Sequence, residues 1–397
     1  EAELSTRKAI EIKPDYAISH LNLGGILTEL GKLQEAEISI RKAIQFQPDS
    51  AMAYSNLGTI LRDLGNLKEA EISTRKAIQI NPSVEDGEYN LSLILLKSKN
   101  FKEGINKYNA RWKRKGQKKP LITSKPEWQP KNRGKVLLWA EQGIGDEILF
   151  SSLIPELVNL VDKLIVKVDK RLIPLFQRSF DKRIIYKNNN QIIEEESYDF
   201  QIAMGSLMKH LRTDKESFEK GKKRYLKANE IKTNFFRDKL IKNSKFKKII
   251  GISWRSNSKK NKSMSLEKLI LGIYSPNICF VNLQYGETKD EINNLKIKYN
   301  INIFELKEVD IFNNLDDLAA LVNACDMVVS IENITSILAG GLGIDSKILL
   351  KSNCIWYNGH NDFKSYWFRN QTFYRQTSPE RWRKELNQIK MEIEKST

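Results

Sequence analysis

The spacing of apolar residues changes about a third of the way along the chain. Over residues 1–112 the apolar positions recur with helical periodicity, and a second period of 34 residues is superimposed on it. Pro14, Pro48 and Pro82 mark this longer period, and a weaker unit follows over residues 89–108. A repeat of this length predicts stacked helix–turn–helix units, an α solenoid in which each unit packs on its neighbours.

From Lys135 onward, short apolar runs alternate with helical segments, which predicts parallel sheets covered on both faces. The expected strands are 136–140, 163–168 and 202–204 in a first layer, and 248–254, 278–283, 303–305, 327–331 and 347–350 in a second. We therefore expect a basic linker over 113–134, one Rossmann-like α/β domain over 135–245 and another over 246–397. A last helix over 379–394 is placed to pack across both domains.

One strand–turn–helix unit carries the strongest chemical signal. The apolar run 136–140 is followed by Gly143 and Gly145, and residues 147–160 have helical spacing. In parallel sheets, ligands bind at the carboxyl ends of strands against helix N-termini, so the Asp146 carboxylate should face the crevice. It is either a helix cap or a general base. If it is a cap, the base is sought at one of three other carboxylates: Glu141, Glu147 or Glu332.

Composition narrows the function classes. Over 397 residues the formal net charge is +17, which favours acidic partners such as nucleotides, or else reflects a Lys-rich solvated surface. Three widely spaced cysteines fit a reducing cytoplasm better than a disulfide framework. No apolar run reaches membrane-spanning length, no signal peptide is evident, and a third glycine at dinucleotide spacing is missing. The linker lacks a nucleic-acid module, so we expect it to dock through Trp112 and Trp128.

The first third resembles the tetratricopeptide repeat family. The resemblance rests on the period and on two recurring sets of small and apolar residues: Asn22-Leu23-Gly24 with Asn56-Leu57-Gly58, and Arg7-Lys8-Ala9-Ile10 with its copies at 41–44 and 75–78. Residues 1–13 look like the second helix of a unit, so we expect further repeats before them. Asn22, Asn56 and Asn90 recur once per first helix. They form either a ladder that grips an extended polypeptide, as similar ladders do in O-linked N-acetylglucosamine transferases, or a packing device between repeats.

Residues 135–385 resemble the heptosyltransferase-like glycosyltransferases of family 9, in the form fused behind tetratricopeptide repeats. The motifs that carry the resemblance are Trp139 to Asp146, Gly251 to Trp254, Asn282 to Gly286, Leu315 to Leu321, Val329 to Asn333, Leu338 to Gly343, and Arg375-Gln376. The resemblance implies two Rossmann-like domains in the GT-B arrangement, with acceptor on the first and nucleotide-sugar donor on the second. It also implies inverting sugar transfer without metal or other cofactor, and the chain has no Asp-x-Asp pair to hold a divalent ion.

The resemblance also implies the site residues. Asp146 occupies the position of the general base, and Lys262 that of the basic phosphate contact, with Lys259 and Lys260 as alternatives. The further donor-binding residues expected are Gly145, Trp254, Gln284, Glu332, Asn333, Gly340 and Gly341. The Gly340-Gly341 pair suits a diphosphate or close helix–sheet packing equally well.

The second half of the expected site departs from the family. Glu332-Asn333 stands where the family has Asp-Thr, and Ile337 replaces a histidine. Glu332 can still accept hydrogen bonds from a donor sugar or ribose, whereas Ile337 cannot bind phosphate. Three hypotheses remain open. The chain transfers sugar to a polypeptide held by the repeats, or transfers it to a saccharide or lipid-linked glycan, or is a non-catalytic scaffold.

Overall fold

The computed structural model describes residues 1–116, 119–221, 224–242, 248–257, 262–351, 354–376 and 381–395. They form two compact units. The first comprises Glu1–Lys119, Thr213–Lys215 and Ser352–Asn361, and the second comprises Pro120–Arg212, Glu216–Lys351 and Asp362–Thr397. Both expected Rossmann-like domains fall within the second unit. Among the described residues no helix combines the length and the apolar character needed to cross a membrane.

The first unit is built from antiparallel helix pairs. Its helices are α1 (Ala2–Ile12), α2 (Ala17–Glu29), α3 (Leu33–Phe46), α4 (Ala51–Leu64), α5 (Leu67–Ile80), α6 (Gly87–Lys97) and α7 (Phe101–Tyr108). Glycine lets the paired helices approach closely. A side-chain carbon at Gly24 would lie 2.4 Å from Ile40, and one at Gly58 would lie 2.0 Å from the Thr74 hydroxyl. These close approaches explain the small residues that recur in the sequence pattern.

Charged residues with the same period join successive repeats. Each arginine of the second helices binds the glutamate four residues before it and the glutamate 28 residues after it, in the next repeat. The pairs are Arg7 with Glu3 and Glu35, Arg41 with Glu37 and Glu69, and Arg75 with Glu71 and Glu103. All are substantially exposed, so each pair contributes little alone, but the register is repeated along the whole solenoid.

A segment from late in the chain also belongs to the first unit, which the sequence did not predict. The short turn Trp356–Asn358 packs on α6, and the rings of Trp356 and Tyr108 lie 6.5 Å apart. His360 lies against Gly65, the left-handed residue that ends α4. The last repeat is therefore covered by residues that follow the ninth strand in sequence.

The second unit contains two parallel sheets, which confirms the expected fold class. The first has the order β3-β2-β1-β4, with β1 (Lys135–Trp139), β2 (Lys163–Val168), β3 (Ile185–Asn188) and β4 (Phe200–Ala203). The second has the order β10-β9-β8-β5-β6-β7, with β5 (Lys248–Ser253), β6 (Ile278–Asn282), β7 (Ile303–Phe304), β8 (Met327–Ile331), β9 (Ser346–Leu350) and β10 (Gln371–Arg375). The edge strands β3 and β10 were not expected. Both are short and carry polar residues, because an edge strand needs less apolar surface.

Helices cover both sheets. They are α8 (Ile144–Phe150), α9 (Ile154–Leu157), α10 (Ile173–Ser179), α11 (Met208–Leu211), α12 (Lys215–Glu219), α13 (Glu230–Lys242), α14 (Leu266–Ile273), α15 (Lys289–Tyr299), α16 (Leu315–Ala324), α17 (Ile334–Leu342) and α18 (Arg383–Lys395). Residues 147–160 were expected to form one helix, but a 3₁₀ turn separates α8 from α9. Pro155 has no N–H to continue the first helix, and the Ser151 and Ser152 hydroxyls bond to carbonyls of its last turn.

The last helix differs from the expectation that it would pack across both domains. Its buried stripe, Leu386, Ile389 and Ile393, belongs to the core of the second sheet, and Leu386 lies against Gly272 of α14. Glu392 accepts hydrogen bonds or charge from Lys347 and Tyr374 on that sheet. The helix repeats an apolar residue every three to four positions, and this narrow stripe is fully used by one sheet.

Residues of the linker dock on the first sheet. Trp128 is fully buried, its backbone N–H donates to the Gln201 carbonyl at 2.9 Å, and its indole N–H donates to the Asn132 carbonyl at 2.8 Å. Trp112 lies in the first unit, with the Arg111 guanidinium 4.1 Å from the centre of its ring. Each tryptophan thus anchors one end of the linker within its own unit.

Candidate functional site

The first turns of α8 and α17 meet where the carboxyl ends of the two sheets face one crevice. The meeting point is Gly145 on α8 and Ile337 on α17. A side-chain carbon at Gly145 would lie 3.0 Å from the Ile337 Cδ1 atom. Ile337, which replaces the histidine of the resembling family, is thus an apolar contact between the two sheet domains. Gly145, expected to bind donor, provides the space for that contact.

Asp146 occupies the third position of α8, and Gly143 is the residue that begins the helix. The Asp146 carboxylate accepts a hydrogen bond from the Gly143 backbone, so it does contribute to the helix start, although it is not the N-cap residue. Burial raises the pKa of Asp146 to about 6, and the negative charge of Glu141 raises it further. The Gly143 hydrogen bond and the charge of Lys262 act in the opposite direction.

Lys262 and Glu332 lie beside Asp146 and form an ion pair with each other. Lys262 precedes Ser263 and Met264, which fix the loop after β5, because Ser256 N–H donates to the Ser263 hydroxyl at 3.0 Å. Glu332 directly follows β8. Their side chains are only 13% and 7% exposed, so the pair is largely removed from water. The crevice therefore gathers two carboxylates and one ammonium group from both sheets.

The other carboxylates named as possible bases are committed elsewhere. Glu141 is buried and accepts a hydrogen bond from the Gly205 N–H at 3.1 Å. Glu147 is also buried, and it accepts from the Asp169 N–H at 2.8 Å and from the Asn189 amide at 3.3 Å. Both groups are thus fixed by the first sheet and its loops. Asp146, which remains partly exposed, is the carboxylate that can reach an acceptor.

Asn333 was expected to bind donor, but its side chain is used to build the loop. Its oxygen accepts from Ser336 N–H at the start of α17 and from the Ser330 hydroxyl, at 3.2 and 3.1 Å. Its amide nitrogen donates to the Ser253 hydroxyl at 2.7 Å and to the Arg255 carbonyl at 3.2 Å. Four hydrogen bonds satisfy both ends of the amide, and the residue is an N-cap.

Gln284 and Trp254 are likewise structural. The Gln284 carbonyl oxygen accepts from the Ser253 hydroxyl and from the backbone N–H groups of Trp254 and Arg255, at 2.7–3.0 Å. The Trp254 side chain is fully buried in the core of the second sheet, where its indole N–H donates to Glu291. Neither side chain faces the crevice, so both shape the loop that carries Lys262.

The Gly340-Gly341 pair lies near the end of α17, away from the helix start that would bind a diphosphate. A side-chain carbon at Gly340 would lie 2.5 Å from the Phe368 ring, and one at Gly341 would lie 2.7 Å from Leu226. The Gly341 carbonyl accepts from the N–H groups of Tyr225 and Leu226. Of the two readings of this pair, the structure supports close packing. Lys259 and Lys260 lie outside the described residues.

A polar cavity of about 320 Å³ also opens at the carboxyl edge of the first sheet. It is lined by residues 169–171 after β2, residues 188–190 at the end of β3, and Asn313, which precedes α16. None of these residues was expected to be functional. The sequence signal was the run Asn188–Asn190, but it follows a strand that the apolar pattern did not predict.

The three asparagines of the repeats lie on one face of the first helices. Asn22 is exposed, and Asn56 and Asn90 are partly exposed. Within the part of the chain that the structure describes, no other residue forms a hydrogen bond with their side chains. Their amides make no hydrogen bond that would tighten packing between repeats.

Comparison with known proteins identifies the repeats. Residues 17–50 and 51–84 each match a tetratricopeptide repeat family model, and these residues are tetratricopeptide repeats. The curated relative, protein FlbA of Caulobacter vibrioides, is 29% identical over 269 residues, which cover 61% of this chain and 44% of FlbA. The chain thus spans less than half the length of that relative.

Two solved structures are similar over the α/β region or beyond it. One is the glycosyl transferase family 9 protein from Veillonella parvula, with a TM-score of 0.46 and 9% identity over 62% of this chain and 87% of that one. The other is a mutant of the O-GlcNAc transferase of Thermobaculum terrenum, with a TM-score of 0.34 and 13% identity over 98% of this chain and 85% of that one.

Proposed function

We propose that the chain is an inverting glycosyltransferase that moves a sugar from a nucleoside diphosphate to an acceptor hydroxyl. The observation that carries the proposal is the cluster of Asp146, Lys262 and Glu332 in the crevice between two parallel sheets. It supplies, in one place, a carboxylate with a raised pKa and a lysine able to bind a diphosphate. Tetratricopeptide repeats joined to a GT-B-like α/β unit are consistent with this activity.

Asp146 acts as the general base. It takes the proton of the acceptor hydroxyl while the oxygen of that hydroxyl attacks the anomeric carbon, and the bond from that carbon to the diphosphate breaks. The electron pair leaves with the nucleoside diphosphate, and the configuration of the sugar inverts because a single displacement occurs. A pKa of about 6 keeps Asp146 ionised at neutral pH, yet more basic than a solvent-exposed aspartate.

Lys262 binds the diphosphate, and Glu332 holds the lysine in the absence of donor. A buried ammonium group without a partner would be costly, so the ion pair keeps Lys262 charged and in place. Once the donor binds, the diphosphate oxygens share or replace the carboxylate. Glu332 is then free to accept a hydrogen bond from the sugar or ribose. This arrangement needs neither a metal nor another cofactor to neutralise the leaving group.

The acceptor includes a polypeptide that the repeats hold through Asn22, Asn56 and Asn90. The support is that these amides recur every 34 residues on exposed helix surfaces and make no hydrogen bond within the described chain. An amide both donates and accepts, so it matches the backbone of an extended chain at any sequence. The first Rossmann-like domain carries the acceptor side and the second the donor side.

Binding and turnover of nucleoside diphosphate sugars test the proposal. The purified chain is screened by thermal shift against a panel of these donors, and the sugar released from each binder is then measured. Because a ligand that binds the native state raises its stability by mass action, at least one donor should raise the unfolding temperature and be hydrolysed slowly without acceptor. A chain that binds no donor, or binds one without ever releasing its sugar, contradicts a catalytic role.

A further inference from the structure

The polar cavity at the edge of the first sheet lies next to the proposed general base. Glu147, the residue after Asp146, accepts hydrogen bonds from the Asp169 N–H and from the Asn189 side chain, which belong to the cavity wall. The helix turn that carries Asp146 is therefore fixed directly to the cavity. A molecule bound in the cavity presents its near end to the crevice.

The charges in the wall are largely compensated. The Asp169 carboxylate binds the Arg171 guanidinium through both oxygens, at 2.8 and 3.0 Å, and this pair lowers the pKa of Asp169. Arg171 also donates to the Phe312 carbonyl of the second domain at 3.1 Å. The fixed ion pair leaves Lys170 as the exposed charge of the wall. A diphosphate would find one free cation here, whereas the amides outnumber it.

The remaining lining groups are amides. Asn188, Asn189, Asn190 and Asn313 contribute donors and acceptors, and no apolar side chain lines the cavity. Pockets for nucleobases or apolar peptide side chains are mostly apolar, so this lining fits neither. Amides and a planar Asp–Arg pair match neighbouring hydroxyl groups, which also donate and accept in pairs. A volume of about 320 Å³ is at the lower end of the range for small-molecule sites.

From this placement and chemistry, we propose that the cavity binds a neutral saccharide unit of the acceptor. The inference rests on the proposed function, because it assigns the hydroxyl that Asp146 deprotonates to a sugar. The saccharide belongs either to a free glycan or to a glycan carried by a polypeptide, and in the second case the repeats and the cavity hold two parts of one molecule.

Asn190 allows a clean test. Its side chain is exposed, lines the cavity and forms no hydrogen bond with any described residue, so its replacement should not disturb folding. Asn190→Ala removes one amide, and Asn190→Trp fills the cavity. Asn294→Trp on α15 is the matched control, since Asn294 is equally exposed and lies outside the cavity. Each protein is applied to an array of neutral mono-, di- and trisaccharides, displayed both free and on peptides, and titrated with a nucleoside diphosphate in parallel.

The wild type and Asn294→Trp should retain the same saccharides. Asn190→Ala should bind them about 2- to 10-fold more weakly, and Asn190→Trp at least 10-fold more weakly, with nucleoside diphosphate affinity unchanged. Retention of peptide-borne sugars alone would assign the glycan to a polypeptide. Saccharide binding that survives Asn190→Trp, or binding only of unglycosylated peptides, overturns the inference. If no saccharide binds while the nucleoside diphosphate does, the cavity assignment fails and the proposed function stands.

Discussion

Lys262 and Glu332 form a largely buried ion pair at the point where both sheets face the crevice. Both residues were expected to contact donor, and in the structure they contact each other. The pair gives the donor site two arrangements, one in which the carboxylate neutralises Lys262 and one in which a diphosphate does. Binding of donor then depends on competition between these two anions for one ammonium group.

Loss of the lysine should affect charged ligands selectively. In Lys262→Ala, the affinity for a nucleoside diphosphate should fall more than the affinity for the matching nucleoside, because only the diphosphate carries the charge that Lys262 binds. The measurement is isothermal titration with both ligands. If both affinities fall equally, Lys262 is structural, and the phosphate contact should be sought at Lys259 and Lys260.

Removal of the competing charge should have the opposite effect. Glu332→Gln keeps the size and hydrogen-bonding oxygen of the side chain but no longer neutralises Lys262. We expect tighter binding of the nucleoside diphosphate, by about 1–2 kcal/mol, and unchanged binding of the nucleoside. Weaker diphosphate binding by a folded Glu332→Gln protein would show that the two anions do not compete.

The donor site shows how far sequence reasoning reaches. A residue that follows a buried parallel strand can be assigned to the carboxyl edge of a sheet, which is why Asp146 and Glu332 were identified. The same rule selected Asn333, yet its amide points into the neighbouring loop and caps α17. Whether a polar side chain faces ligand or its own loop depends on partners from distant segments, such as Ser253, that the order of residues does not reveal.

Periodic features were predicted best. The 34-residue spacing defined the repeats because each one repeats the same packing, and continuous apolar runs located the buried strands β5, β6, β8 and β9. The cavity could not be predicted, since its lining comes from residues 169–171, 188–190 and 313. These segments meet only after both sheets have formed, and β3 was too polar to be identified as a strand.

The asparagine ladder predicts a loss of peptide affinity that leaves the donor site untouched. Changing Asn22, Asn56 and Asn90 to alanine should weaken binding of an acceptor polypeptide by roughly 0.5–1.5 kcal/mol for each hydrogen bond removed. Nucleoside diphosphate affinity should remain that of the wild type and serves as the control. Unchanged peptide affinity in a folded triple variant would exclude the ladder as the peptide contact.

Thr74 should be replaceable with a gain in stability. Its hydroxyl is buried beside Gly58 and has no hydrogen-bond partner, while the equivalent position one repeat earlier is the apolar Ile40. Thr74→Val keeps the shape and removes the unsatisfied group, so the free energy of unfolding should rise by about 1 kcal/mol in urea titration. Thr28→Val is the control, because the Thr28 hydroxyl donates to the Gly24 carbonyl at 2.7 Å and its loss should give no gain.

The raised pKa of Asp146 predicts a pH dependence. The base must be ionised to accept a proton, so kcat/KM should fall as the pH decreases through about 6. Stability has the opposite sign, since a folded-state pKa above the unfolded value means that the folded protein binds the proton more tightly. The contribution of Asp146 to the free energy of unfolding is therefore most favourable below about pH 4 and decreases as the pH rises towards 6. In Asp146→Asn this decrease should be absent when unfolding is measured from pH 4 to 7.

Sugar transfer by Asp146→Asn tests the central claim most directly. Asparagine can accept the Gly143 hydrogen bond, so the fold and unfolding temperature should be retained, but a neutral amide cannot take the hydroxyl proton. Transfer should slow by about 10²- to 10⁴-fold, with nucleoside diphosphate affinity close to that of the wild type. Near-normal transfer by the folded variant would contradict the account and leave Asp146 as a residue that stabilises the start of α8.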